Sequence, residues 1–159
     1  MKKIIVTAIA ILMAVAMFAH NGESIYRKYS GKPGVTGVYI SPAMFRMMGS
    51  LPLEEMVDGQ DLAPLIKSMK GFYLIEVSDG DIAESVSAEV QRMLSTQTYE
   101  LLMEVKDEGS TVKMMSVTEG DYVKSFVMLS QEACETVFIC LDGDILKSDL
   151  DNFIANSMN

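Results

Sequence analysis

Residues 99–129 read YELLMEVKDEGSTVKMMSVTEGDYVKSFVML, and the periodicity of this stretch decides the fold. Tyr99, Leu101, Met103 and Val105 alternate with Glu100, Glu104 and Lys106, the pattern of a strand with one buried face. Asp107-Glu108-Gly109-Ser110 reads as a hairpin loop, Thr111 to Val117 as the next strand, and Glu119-Gly120-Asp121 as the next turn. Tyr122 to Leu129 is a third strand and Glu135 to Leu141 a fourth. Loops this short force sequential strands to lie antiparallel.

Upstream, the period changes to that of helices. Ile25, Tyr26 and Tyr29 share a helical face that Gly31-Lys32-Pro33-Gly34 terminates, and Val35 to Ile40 follows as a β-rich run. Ser41-Pro42 reads as an N-cap with proline at the first helical position, ahead of Met44, Phe45 and Met48 on one face. Residues 50–60 are loop-like. Asp61 can cap a helix with Leu62, Leu65, Ile66 and Met69 on one face, ended by Gly71. Phe72 to Val77 then reads as a central strand, and a helix from Ile82 carries Val86, Val90, Met93 and Leu94. A closing helix presents Leu146, Leu150, Phe153 and Ile154 to a core. The expected fold is an α+β two-layer domain, with a mainly antiparallel (mixed) sheet of about five to six strands and helices on one face. Helices between the early strands allow parallel crossovers there.

The N-terminus carries an address. Met1-Lys2-Lys3 precedes Ile4 to Phe18, an uncharged run of secretory length and short for a membrane span. Residues 1–19 are expected to be a signal peptide, cleaved after Ala16 or Ala19, and residues 20–159 a single domain in periplasm or medium. With no Cys at the end of this segment, a lipoprotein anchor is not expected, nor a stable membrane span after signal removal.

Composition narrows the function classes. The 159 residues hold 13 Lys and Arg against 22 Asp and Glu, a net charge of −9 that disfavours nucleic acid as a partner. One His, at position 20, and two Cys leave no His-based catalytic set and no multi-Cys zinc module. The sequence has no phosphate-binding Gly-rich loop and no Gly-x-Ser-x-Gly elbow. Neither an enzyme nor a cofactor is expected.

Gly34-Val35-Thr36-Gly37-Val38-Tyr39-Ile40-Ser41, Met44-Phe45, Lys70-Gly71, Tyr99-Glu100-Leu101-Leu102-Met103 and Leu141-Asp142-Gly143-Asp144-Ile145 form a series along the chain. With the export signal, this layout resembles the domain of unknown function 4252 family, exported envelope proteins of Bacteroidetes. The resemblance implies an envelope protein with no established activity and no accepted site residues to transfer. Some members look like lipoproteins, and this chain departs from them in lacking the necessary Cys.

Three features bear on chemistry. Asp79-Gly80-Asp81-Ile82 and Asp142-Gly143-Asp144-Ile145 each follow a hydrophobic strand. Gly supplies a turn and the second Asp, Asp81 or Asp144, a helix cap. If strands 72–77 and 135–141 ran parallel and adjacent, Asp79, Asp81, Asp142 and Asp144 would converge as a cation or glycan site. An antiparallel arrangement, the expected one, separates them. The 14 methionines could offer copper ligands or an adaptable apolar surface, but the alternation of Met103 with Leu101, and of Met128 with Phe126, marks them as core. Cys134 and Cys140 on one strand would sit about 20 Å apart, so buried free thiols are expected. The leading expectation is a small, exported, non-enzymatic envelope protein acting by contact with an unidentified envelope protein. The alternatives are a carrier of an apolar ligand, with helix 41–49 as a lid hinged at 50–60, and a carboxylate-based metal-binding protein or hydrolase.

Overall fold

A computed structural model of the protein describes residues 21–50, 63–96 and 99–151. Helix α1 (Gly22–Tyr29) opens at Asn21, whose side-chain oxygen accepts from the Ser24 N–H at 3.0 Å. Strand β1 (Val35–Ile40) leads into α2 (Pro42–Met48), where the Ser41 hydroxyl accepts from the Met44 N–H. Helix α3 (Ala63–Ser68) runs directly into β2 (Met69–Val77), and α4 (Gly80–Thr96) follows. The rest is a meander of β3 (Glu100–Asp107), β4 (Ser110–Glu119), β5 (Tyr122–Gln131) and β6 (Thr136–Leu146), after which residues 147–151 are helical. Gly109 and Gly120 turn the first two hairpins with φ of +96° and +59°, where a side chain would be strained.

The six strands form one sheet in the order β1-β2-β6-β5-β4-β3, and every neighbouring pair is antiparallel. The α+β expectation holds, but the sheet contains no parallel pair. The connection from β1 to β2 returns the chain beside the end of β1 that it left, with Ile40 opposite Phe72, so these strands run antiparallel. The 17 residues of α4 rise about 25 Å, enough to span a strand, and β3 does run in the same direction as β2. Yet α4 sets β3 down at the far edge, and the later strands fill the interval.

Register divides the sheet into two faces. One face bears Tyr73, Ile75 and Val77 of β2, Phe138 and Cys140 of β6, and Val127 and Leu129 of β5. These side chains pack under Ile25 and Tyr29 of α1 and Ala83, Val86, Val90 and Met93 of α4 in one core. Glu89 of α4 is buried there with its carboxylate accepting from the Tyr29 hydroxyl at 2.8 Å and ion-paired with Lys28. A buried carboxylate is tolerated only with such partners, so the pairing ties the two helices together. The opposite face carries Phe72, Leu74, Phe126, Met128, Ile139 and Leu141, all half-buried.

Two local expectations are corrected. Gly71 does not end a helix; it lies within β2, which begins at Met69. Asp142-Gly143-Asp144-Ile145 is not a turn either, because β6 continues through it to Leu146. There it pairs with β2 on one side and β5 on the other, so its backbone groups enter the ladders. Gly143 is needed for this passage: a Cβ would stand 2.8 Å from the Ser68 carbonyl oxygen. The signal segment, the cap at Asp61, loop residues 51–60 and the closing helix face at Phe153 and Ile154 lie outside the described residues.

Candidate interaction surface

Strand β3 was expected to be half-buried; all eight of its residues are exposed. Leu101 and Leu102 are each 56 % exposed, Met103 42 % and Val105 47 %. The cause is position: β3 is the last strand in the order, beyond the reach of the core under α1 and α4. A shift of register between Leu101 and Met103 also breaks the alternation on which the expectation rested. Met103 is therefore not a core residue.

Following the pairings across the sheet places each β3 side chain. Glu104 opposes Lys113, and Lys113 opposes Leu129, so Glu104 and Lys106 lie on the helix-covered side. Met103 opposes Met114 and Val105 opposes Val112, which puts them on the other side. The Glu104 carboxylate bridges Lys106 at 3.2 Å and Lys113 at 3.4 Å, and the hydrogen bond from Lys106, above all, holds its pKa below the ordinary carboxylate range. The result is an apolar strand edge with a small charge pattern on one side. Strands with open edges and apolar side chains are natural templates for pairing with another chain.

At the opposite edge, Tyr26, Tyr39 and Tyr73 gather beside Glu23 and Arg27 around a cleft of about 190 Å³. Tyr39 and Tyr73 stack with centroids 5.3 Å apart. Burial pushes the Tyr73 hydroxyl up to about 12. Under α1 lies a polar cluster that the sequence did not reveal. The Ser125 hydroxyl is 3.6 Å from Cys140 Sγ, and the thiol donates to Asp142 Oδ1 at 3.5 Å. Tyr99 is hydrogen-bonded to Ser125 and is pushed up to about 12 by burial. Burial raises the pKa of the Cys140 thiol and of the Asp142 carboxyl as well. A thiol held protonated is a poor nucleophile, so Cys140 serves the cluster as a hydrogen-bonding group. Asp142 and Cys140 share one face as i and i+2 of a strand; Tyr99 and Ser125 arrive through tertiary pairing and leave no local signal.

The four aspartates are not brought together. Antiparallel pairing of β2 with β6 sets Val77 opposite Thr136 near Asp79, and Gly71 opposite Asp142 at the other end. Asp79, rather than Asp81, caps α4: its Oδ1 accepts from the Ile82 N–H at 3.1 Å. Asp144 caps nothing and is ion-paired with Lys124 at 2.6 Å and with Lys70, first Lys124 and then Lys70 lowering its pKa. Among the described residues no group of three or more His, Cys, Asp and Glu is placed to hold a metal ion.

Both cysteines are free; Cys140 is buried, but Cys134 is exposed because it stands in the β5–β6 connection and not on a strand. Met93 belongs to the core, whereas Met44 and Met47 of α2 are exposed. Phe45 of α2 is buried and anchors that helix. A second cleft of about 270 Å³ lies between α4 and the β5–β6 connection, at Ser87, Gln131 and Thr136. No helix among the described residues is long and apolar enough to cross a membrane.

A family model described as Domain of unknown function (DUF4252) matches residues 29–153, from the end of α1 through the whole sheet. No curated protein matches the chain.

Proposed function

The chain belongs to the domain of unknown function 4252 family, and from that premise we propose that it is a small exported envelope protein, non-enzymatic, that acts by protein contact through the β3 side of its sheet. The observation that carries the reading is the exposure of Leu101, Leu102, Met103 and Val105 on a strand whose outer edge pairs with no other described strand. Export is supported by the basic start at Lys2 and Lys3 and the uncharged run from Ile4 to Phe18. The acidic balance favours protein over nucleic acid as partner. Absence of catalysis is supported by the burial that raises the Cys140 thiol pKa and by the scattering of the four aspartates. Among the described residues, the two clefts of about 190 and 270 Å³ are smaller than the roughly 300 Å³ of a small-ligand pocket and do not favour the carrier alternative.

The test has two readouts on the full-length gene product expressed in its native envelope. The intact mass of the recovered protein should lack the first 16 to 19 residues. A photo-crosslinking side chain at Leu102 should yield a protein adduct of defined mass, and one at Ser85 on the exposed side of α4 should not. Full-length protein in the cytosol would remove the export half of the proposal. Equal labelling from both positions, or turnover of a glycan or ester library, would remove the contact half.

A further inference from the structure

We propose that β3 is self-complementary: it pairs antiparallel with β3 of a second copy about a two-fold axis normal to the sheet at Val105, merging two six-stranded sheets into one. The inference rests on β3 being the contact surface and identifies the partner. An axis normal to the sheet keeps like faces on the same side, so residues that oppose one another must come from the same face. Within the regular stretch Met103–Asp107, that condition allows only axes that pass through a residue.

Charge then selects among them. An axis at Glu104 would oppose two glutamates, one at Lys106 two lysines and one at Asp107 two aspartates, all unfavourable. An axis at Met103 would bring Glu100 opposite Lys106 in sequence. The register shift between Leu101 and Met103 places those two side chains on different faces, so the pair cannot form. An axis at Val105 opposes Glu104 and Lys106 twice, on one face, with Val105 against Val105 and Met103 against Asp107 on the other. Opposite charges and a β-branched pair face each other, and no like charges meet. Glu104 and Lys106 already lie 3.2 Å apart within one strand, so the second copy offers each the same kind of partner. The bulge at Leu102 blunts the edge beyond this stretch and limits pairing to it.

The experiment uses the purified processed protein in sedimentation equilibrium over about 1 to 100 µM. The parent should dimerise. Lys106→Glu and Glu104→Lys each place two like-charge pairs across the axis, and each alone should weaken dimerisation at least about tenfold. Mixed together, the two variants restore opposite charges at both pairs and should associate as heterodimers. Circular dichroism matching the parent separates lost association from lost fold. In a Cys134→Ser background, Val105→Cys should oxidise to a covalent dimer and Met103→Cys should not. A parent that stays monomeric throughout, a mixture that fails to associate, or equal cross-linking at Met103 and Val105 would overturn the proposal. Should the parent be monomeric while Leu102 still cross-links a different envelope protein, self-pairing falls and the contact reading stands. Monomer with no adduct removes both.

Discussion

Gly22 sets two opposing effects against each other, and the structure decides the sign. It is the first residue of α1 and is buried against β6. In Gly22→Ala the new Cβ would lie 2.5 Å from both Cβ and Sγ of Cys140, and 3.5 Å from Tyr73 Cδ2. Ordinary carbon contacts fall near 3.5 to 4 Å, so one partner must move by about 1 Å. Cys140 cannot yield easily, because it is fully buried on β6 with β2 and β5 on either side. Overpacking of this kind costs about 1–3 kcal/mol, whereas replacing glycine by alanine in a helix gains at most about 1 kcal/mol. The net expectation is a loss of about 1–2 kcal/mol. It would be read as a lower urea midpoint with an unchanged slope. Adding Cys140→Ala removes the sulfur but not the Cβ, and should recover part of the loss as coupling in a double-mutant cycle. If Gly22→Ala were as stable as the parent or more so, helix propensity would have won and the contact with Cys140 would not be rigid.

Three further outcomes follow from the local chemistry. Asp79→Ala should cost about 1 kcal/mol by removing the cap of α4, while Asp81→Ala should leave the urea midpoint close to the parent's. Asp142 has a raised pKa in the fold, so its contribution is present below the unfolded carboxyl pKa and is lost as pH rises through the folded value. Asp142→Asn should therefore gain on the parent as pH is raised through that range and lose the advantage in acid, which denaturation at a series of pH values will show. A thiol reagent should modify Cys134 alone in the native protein and reach Cys140 only on unfolding, as counted by intact mass.

The hairpins from Tyr99 to Gln131 were legible because alternation and the turn glycines are local signals that agree with one another. The helix faces at Ile25 and Tyr29, and at Val86, Val90 and Met93, were legible for the same reason, and all five side chains are buried. Alternation does not say whether a strand has one neighbour or two, so the exposure of β3 could not be read from Leu101, Met103 and Val105. The same limit hid the path of β6. Asp142-Gly143-Asp144 is turn-like by composition, and only the presence of β2 and β5 on both sides makes extended backbone the better state. Sequence spacing named the four aspartates as a possible constellation. The polar cluster that does form joins Cys140 and Asp142 of β6 to Ser125 of β5 and to Tyr99, and strand order brings the three segments together.

The place of β6 in the sheet has a consequence for how the chain comes into being. The last of the described strands in sequence order lies between β2 and β5, with Val77 matched to Thr136 and Met69 to Gly143. Until it emerges, β1 with β2 and β3 with β4 and β5 are two fragments that share no ladder, and the floor beneath α1 lacks Phe138 and Cys140. Before Thr136 is made, a nascent chain of this topology has no complete core to collapse around. Non-local pairing of this kind also makes folding slow compared with a helical protein of similar size. Truncation ahead of Thr136 would leave two unpaired edges where the finished sheet has its centre.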